Sequence, residues 1–271
     1  MEVASLQMGV VEDNKAKAID RAVEAIRSCR GADLIVLPEL WNIGFMSFDH
    51  YYSQAETEDG PTLSAMQTMA REMEAYLHTG SFVLEENGTY YNASYLLSPQ
   101  GEILGSYRKI HLYAYGSREK QLLTPGREIS VISTPLGVFG LATCFDLRFP
   151  ELFRRMVDLG AEIFLVCSAW PYPRLEHWLM LNRVRAIENQ CALISANAVG
   201  PNRGATLVGH SMIVDAWGTI MASGGDEEVI LRTSVDREKI HEARSRFPGL
   251  AGRTEWLNTQ LCGGHDGQYR S

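Results

Sequence analysis

The chain has 271 residues, 45% of them hydrophobic and 21% charged, with a net charge of −8. That composition describes a globular protein long enough to bury a substantial core. The acidic balance argues against nucleic acid as a partner, because phosphate binding needs a basic face.

Val3–Met8 reads as a first strand. Asn14–Arg30 follows as a helix ended by Gly31, with Ala18, Ile19, Ala22, Val23 and Ile26 on one face. Leu34–Leu37 (LIVL) is a continuous apolar strand of the kind buried on both faces, and it runs directly into Pro38 and Glu39. A carboxylate at the end of a buried strand is either a solvated loop acid or a paired, functional one. Trp41–Tyr52 is a loop rich in aromatics, suited to a pocket wall. Gly60-Pro61 opens a second helix whose methionine stripe, Met66, Met69 and Met73, reads as core packing. Thr79–Leu84 reads as a strand, and Tyr90–Lys109 as a hairpin turning at Ser98-Pro99-Gln100-Gly101.

The second half repeats the alternation. Val138–Ala142 reads as a short buried strand and Phe149–Val157 as a helix with Pro150 in its first turn, so Cys144 falls on the turn between them. Leu175–Asn189 reads as a helix, Ala192–Ala196 as a strand, and Val199–His210 as a Gly-rich loop with no phosphate-binding pattern. Val229–Val235 is a last strand and Asp236–Arg246 a last helix capped by Asp236. Pro248–Ser271 lacks periodicity and reads as a C-terminal arm or tail. No composition shift marks a linker, so residues 1–271 read as a single α/β domain. Ser94–Gly105 (SYLLSPQGEILG) resembles Ser211–Ala222 (SMIVDAWGTIMA), and Leu34–Glu39 resembles Ile163–Trp170. The two halves therefore read as copies of one αβ layer packed face to face.

The five cysteines, Cys29, Cys144, Cys167, Cys191 and Cys262, are odd in number, widely spaced and without a CxxC pair. That pattern fits neither a disulfide framework nor a zinc site, and it points to a reducing, cytoplasmic compartment. The N-terminus shows no signal-peptide pattern and no apolar run reaches membrane-spanning length. Asn92-Ala93-Ser94 matches a glycosylation sequon, which carries little weight in the cytoplasm. Cys167 and Cys191 lie on apolar strands and read as core, and Cys29 and Cys262 as incidental.

Three strand-to-loop junctions each present one reactive group: Glu39, Lys109 and Cys144. A thiol at a helix start has its thiolate favoured by the helix dipole, and a neighbouring Lys109 would favour it further and stabilise an oxyanion. Glu119, in the next loop, could orient Lys109 or assist proton transfer. Each group alone has a plain structural reading: solvated acid, strand-edge charge, small buried hydrophobe, surface acid. Arg148 and Glu151, spaced by about one helical turn, read as a buried ion pair steadying the nucleophile turn.

Leu37-Pro38-Glu39, the run Tyr107–Leu112 (YRKIHL) and the run Cys144–Glu151 (CFDLRFPE) occur in the order and spacing of the nitrilase superfamily, the carbon–nitrogen hydrolases. Glu119 with Leu123-Thr124-Pro125-Gly126, Arg183–Asn189 and Gly209–Gly218 resemble its further motifs. The resemblance runs from about Val3 to Val235, with Phe145 where the family more often has Tyr. It implies a four-layer αββα sandwich that forms a homodimer, and a Glu39–Lys109–Cys144 triad supported by Glu119, with no metal or organic cofactor. Leu37–Phe45 and Ala169–Pro173 resemble the ω-amidase-like branch, which acts on the terminal amide of small 2-oxo acids. Phe45, Phe145 and Trp170 are then expected as substrate-pocket walls, and Arg118, Arg174 and Arg203 as candidates for holding a substrate carboxylate. Nitriles, N-carbamoyl amines and deaminated glutathione remain alternative substrates within the family. Two readings stand outside it: a Cys–His hydrolase using His111, His177 or His210, and a non-catalytic binding or redox-sensing protein with a reactive Cys144.

Overall fold

The apolar runs become strands of two six-stranded sheets, packed face to face with helices on both outer surfaces. The structure is a computed structural model and describes residues 1–254. The first sheet is built from β1 (Glu2–Gln7), β2 (Leu34–Val36), β3 (Tyr76–Glu86), β4 (Thr89–Leu97) and β5 (Ile103–Arg108) in sequence order, with β14 (Val229–Ser234) on the free edge of β1. The second is built from β6 (Val131–Thr134), β7 (Gly137–Thr143), β8 (Ile163–Ser168), β9 (Ala192–Asn197), β12 (Met212–Val214) and β13 (Ile220–Ser223).

Both sheets have one plan. An antiparallel edge strand, β14 or β6, is followed by three parallel strands and then by an antiparallel hairpin. The hairpin β4–β5 corresponds to β12–β13, and β2 corresponds to β8, as the internal similarity predicts. Sheet one borrows its edge strand from the far end of the chain, so the two copies are interlocked.

Helices α1 (Lys15–Arg27) and α2 (Pro61–Met73) cover sheet one. Asn14 caps α1 by accepting the Lys17 N–H at 2.9 Å. Ala22, Ile26, Leu63, Met66 and Met69 are buried against Leu6, Ile35, Leu77 and Phe82. Full burial of a side chain such as Ile26 or Leu63 contributes roughly 1.5–3 kcal/mol. The short α3 (Glu119–Leu122) follows β5 in the chain, and α4 (Pro150–Asp158) and α5 (Leu175–Asn189) cover sheet two. Between the sheets lies a second core, in which Val3, Leu34, Val36 and Leu96 meet Phe139, Leu141, Ile163, Leu165 and Ile194. The last helix, α6 (Arg237–Arg246), is capped by Asp236 as expected.

Three segments depart from the sequence reading. Glu119 opens α3 inside a stretch that reads as a loop, and β6 has no sequence reading. Val199–His210 is not an irregular loop, because β10 (Val199–Asn202) and β11 (Ala205–Val208) form a hairpin. Its two-residue turn, Arg203-Gly204, has positive φ at both positions, as a type I′ turn requires. Gly200 and Pro201 inside β10 conceal the strand from pattern reading. The expected arm over residues 248–271 falls for the most part outside the described residues, as does Cys262. Cys29, Cys167 and Cys191 are fully buried free thiols. Among the described residues no helix is long and apolar enough to cross a membrane.

Candidate active site

Parallel strands in a sheet present their following loops at one end, and that end collects the reactive groups. Strand β2 runs through Leu37 and Pro38 to Glu39. The Glu39 N–H donates to the Ser168 carbonyl at 3.3 Å, and the Ala169 N–H donates to Glu39 Oε2 at 2.9 Å. The ends of β2 and β8 are thereby joined through Glu39, across the two sheets. Within sheet one, Gly80 on β3 lets the chain leaving β2 pass close by: its φ is +64°, and a Cβ there would lie 2.0 Å from the Pro38 carbonyl oxygen.

Strand β5 runs in the same sense as β2, since β3–β4 and β4–β5 are both antiparallel. Lys109 therefore emerges at the same end. Its Nζ donates to Glu39 Oε1 at 2.8 Å and to the two Glu119 oxygens at 2.9 and 3.0 Å. All three side chains are fully buried. Burial alone would discharge the ammonium, but the charges of Glu119 and then Glu39 outweigh it and hold Lys109 well above its ordinary value. Burial raises the Glu119 carboxyl, and Lys109 opposes that rise. Glu119 nonetheless accepts from Lys109, the Asn92 amide and the Tyr113 N–H at 2.7–3.0 Å, the environment of an ionised carboxylate.

Cys144 follows β7 directly and opens a 3-10 turn, Cys144–Arg148, before α4 begins at Pro150. Its φ of +49° is unusual for a residue with a Cβ and re-aims the side chain out of the sheet. Asp146 holds the turn. Its carboxylate accepts from the Thr143 N–H at 2.9 Å, the Tyr107 hydroxyl at 2.8 Å and the His111 N–H at 3.0 Å. The helix dipole and Lys109 favour the thiolate, but burial, and then the Glu39 charge, push the Cys144 thiol well up, and Lys109 only partly opposes them. The resting site holds a thiol beside a carboxylate.

Phe45, Tyr113, Phe145, Arg148, Trp170 and Arg174 line the pocket above Cys144. The three expected walls, Phe45, Phe145 and Trp170, are all among them. Of the three arginines expected as carboxylate holders, Arg174 lines the pocket, whereas Arg118 is exposed elsewhere and Arg203 is tied to Asp13 and Asp49 on the outside. The expected Arg148–Glu151 pair does not form. Arg148 turns inward over the Trp170 ring, 4.8 Å from its centroid, and contacts His177 at 3.1 Å, while Glu151 is exposed. Sequence spacing put the two on one turn, but α4 begins between them at Pro150 and separates their directions.

Among the described residues neither Arg148 nor Arg174 has a carboxylate partner. Burial, and then the charge of Arg174, lower the Arg148 guanidinium from its ordinary value. Two cations with no counter-ion on one apolar pocket favour an anionic group between them. None of His111, His177 and His210 lines the pocket; His111 is bound to Asp146 at 2.7 Å and stacked on Phe149, and His210 contacts Asp226 at 3.3 Å. The sequence reading missed Asn92, Tyr113 and Arg148 as members of the site. Only Arg148 had a legible signal, its place four residues after Cys144.

Comparison with known proteins finds relatives along most of the chain. The carbon–nitrogen hydrolase family model matches residues 2–245. The 2-oxoglutaramate amidase of Paenarthrobacter nicotinovorans is 36% identical over 243 residues, covering 87% of this chain and 83% of that one. The 2-oxoglutaramate amidase of Bacillus subtilis (strain 168) is 32% identical, covering 91% and 95%. A glutamate-to-glutamine mutant of the Nesterenkonia sp. AN1 amidase, with acrylamide added at its active-site cysteine, superimposes with a TM-score of 0.80 at 26% identity, covering 92% of this chain and 98% of that one.

Proposed function

This chain belongs to the carbon–nitrogen hydrolase family, and we propose that it hydrolyses the terminal amide of a small carboxylate-bearing substrate of the 2-oxoglutaramate type, with Glu39, Lys109 and Cys144 as its catalytic residues. The observation that carries the reading is the buried acid–ammonium–acid cluster beside the Cys144 thiol, under a pocket flanked by two guanidinium groups that have no carboxylate partner among the described residues.

The chemistry follows from that arrangement. The amide carbonyl seats above Cys144 with its carboxylate end toward Arg148 and Arg174. Glu39 takes the thiol proton as the sulfur attacks the carbonyl carbon. A neutral resting thiol suits this order, because the proton leaves only as the new C–S bond forms. The tetrahedral oxyanion lies against the Lys109 ammonium and the Phe145 N–H, in the first turn of a helix, where N–H groups lack partners inside the turn. Glu39 returns its proton to the departing nitrogen, and ammonia leaves a thioester. Water then attacks the thioester carbonyl, Glu39 accepts a water proton, and the C–S bond breaks. The acid leaves and the sulfur regains its proton from Glu39. Glu119 holds Lys109 in place throughout.

Two further assignments belong to the same reading. The enzyme works in the cytoplasm, an inference supported by four buried, free cysteines. It acts as a homodimer, supported by an apolar outer stripe on α5.

The test is an ammonia-release assay over ω-amides of 2-oxo acids, nitriles and N-carbamoyl amines, run beside Cys144→Ala. Release from the ω-amides, abolished by the substitution, is the expected result. Release from no amide, or release unaffected by the substitution, overturns the reading.

A further inference from the structure

A single amide joins the two carboxylates of the cluster, and the mechanism above gives it no part. Asn92 lies on β4 and is 1% exposed. Its Nδ2 donates to Glu39 Oε1 at 2.8 Å and to Glu119 Oε1 at 2.9 Å. Lys109 Nζ donates to the same two oxygens at 2.8 and 2.9 Å. Four groups thus close a ring in which two donors each bridge two acceptors. Both amide hydrogens are used, and Asn92 Oδ1 is buried without a partner. The side chain has one reasonable orientation, because turning the amide over would set its carbonyl oxygen against two carboxylates. Glu39 Oε1 therefore carries two donors, whereas Oε2 accepts the Ala169 N–H.

We propose that Asn92 is a positioning residue: it fills Glu39 Oε1 and keeps both carboxylates charged around one ammonium, so that the Cys144 proton is taken at Oε2. Two carboxylates sharing one cation repel each other, and a neutral double donor lowers that cost without adding charge. Aspartate at this place would add a third acid, and a shorter hydroxyl cannot reach both oxygens. The main chain of the same residue also serves the cluster, since the Asn92 carbonyl accepts the Lys109 N–H at 2.9 Å. The burial of Asn92 excludes the use of its sequon in the folded protein.

The inference rests on Glu39 as the base, and the experiment separates the two. The pH dependence of kcat and kcat/KM is measured by ammonia release for the wild type, Asn92→Ala, Asn92→Asp and Glu39→Gln, with thermal melting of each. A lost hydrogen bond to a charged group corresponds to roughly a 10- to 100-fold fall in kcat, with KM changed little. The acid limb of the profile moves to higher pH, because a carboxylate that loses a donor is protonated more readily. The move is larger in the near-isosteric Asn92→Asp, which keeps the readout available should Asn92→Ala fail to fold. A merely structural role would lower kcat and leave the limb in place. An unmoved limb in a variant that melts near the wild type overturns the proposal. If Glu39→Gln still releases ammonia, the base assignment falls and takes this inference with it.

Discussion

Arg148 and Arg174 make a residue-scale prediction that plain packing does not. Both guanidinium groups line the pocket, and each also lies over an aromatic ring, Trp170 at 4.8 Å and Tyr113 at 5.6 Å. Replacing Arg174 with Ala should lower kcat/KM for a carboxylate-bearing ω-amide roughly 10- to 100-fold, the range of a charge-assisted hydrogen bond. A neutral amide of similar size should be hydrolysed almost as before. Equal losses on both substrates, measured by steady-state kinetics, would show that Arg174 shapes the pocket without reading charge. At this scale the sequence is informative where chemistry and strand position coincide. Glu39, Lys109, Glu119 and Cys144 could be named because three of them end apolar strands and all four lie in recognisable motifs. Asn92 could not, since its importance depends on which face of β4 meets the ends of β2 and β5, a matter of register and not of residue type.

Element scale is where α6 can be tested. Glu162, just before β8, accepts from Arg237 at 2.7 and 3.0 Å, from the Val138 N–H at 3.1 Å, and lies 2.6 Å from His241. Burial alone would raise this carboxyl, but the Arg237 and His241 hydrogen bonds and the Val138 N–H outweigh it and hold the group at about 2. A carboxyl depressed in the folded state contributes stability that is complete above its ordinary value of 4.5 and is lost as pH falls through about 2. Glu162→Gln should therefore melt below the wild type at neutral pH, and the gap in Tm should close between pH 4.5 and 2. A gap independent of pH, followed by circular dichroism, would count against an ionic tether. Elements with strong periodicity or clear caps, such as α1, α2 and α6, were readable within a few residues. The β10–β11 hairpin was not: its turn is Arg-Gly, not Asn-Gly, and its first strand carries Gly200 and Pro201, so local propensity opposed a pairing that position between neighbouring loops imposes. The internal repeat was legible because the two hairpins occupy equivalent edges and need the same apolar face.

At the scale of the whole molecule, α5 is where the proposed homodimer can be tested. Its inner face buries Trp178, Asn182, Arg185 and Ala186, as a helix on a sheet must. Its outer face carries Met180, Val184 and Ile187 at helical spacing, and among the described residues these are 62%, 38% and 47% exposed. The turn at Trp217, held to α5 by Arg183 donating to the Gly218 carbonyl at 3.2 Å, and Phe247 beside it extend the stripe. A helix apolar on both sides is stable in water when both sides are covered. In the proposed homodimer a two-fold axis would lay this stripe on its own copy, so one substitution enters the interface twice. Met180→Glu or Val184→Glu then sets two carboxylates into one apolar contact. Light scattering after size exclusion should report a dimer for the wild type at micromolar concentration and a monomer for each variant. The far-ultraviolet spectrum should stay unchanged, because the inner face of α5 is untouched. A wild type that runs as a monomer, or variants that keep the dimer mass, would place the partner of α5 elsewhere and leave the four-layer sandwich as the complete assembly.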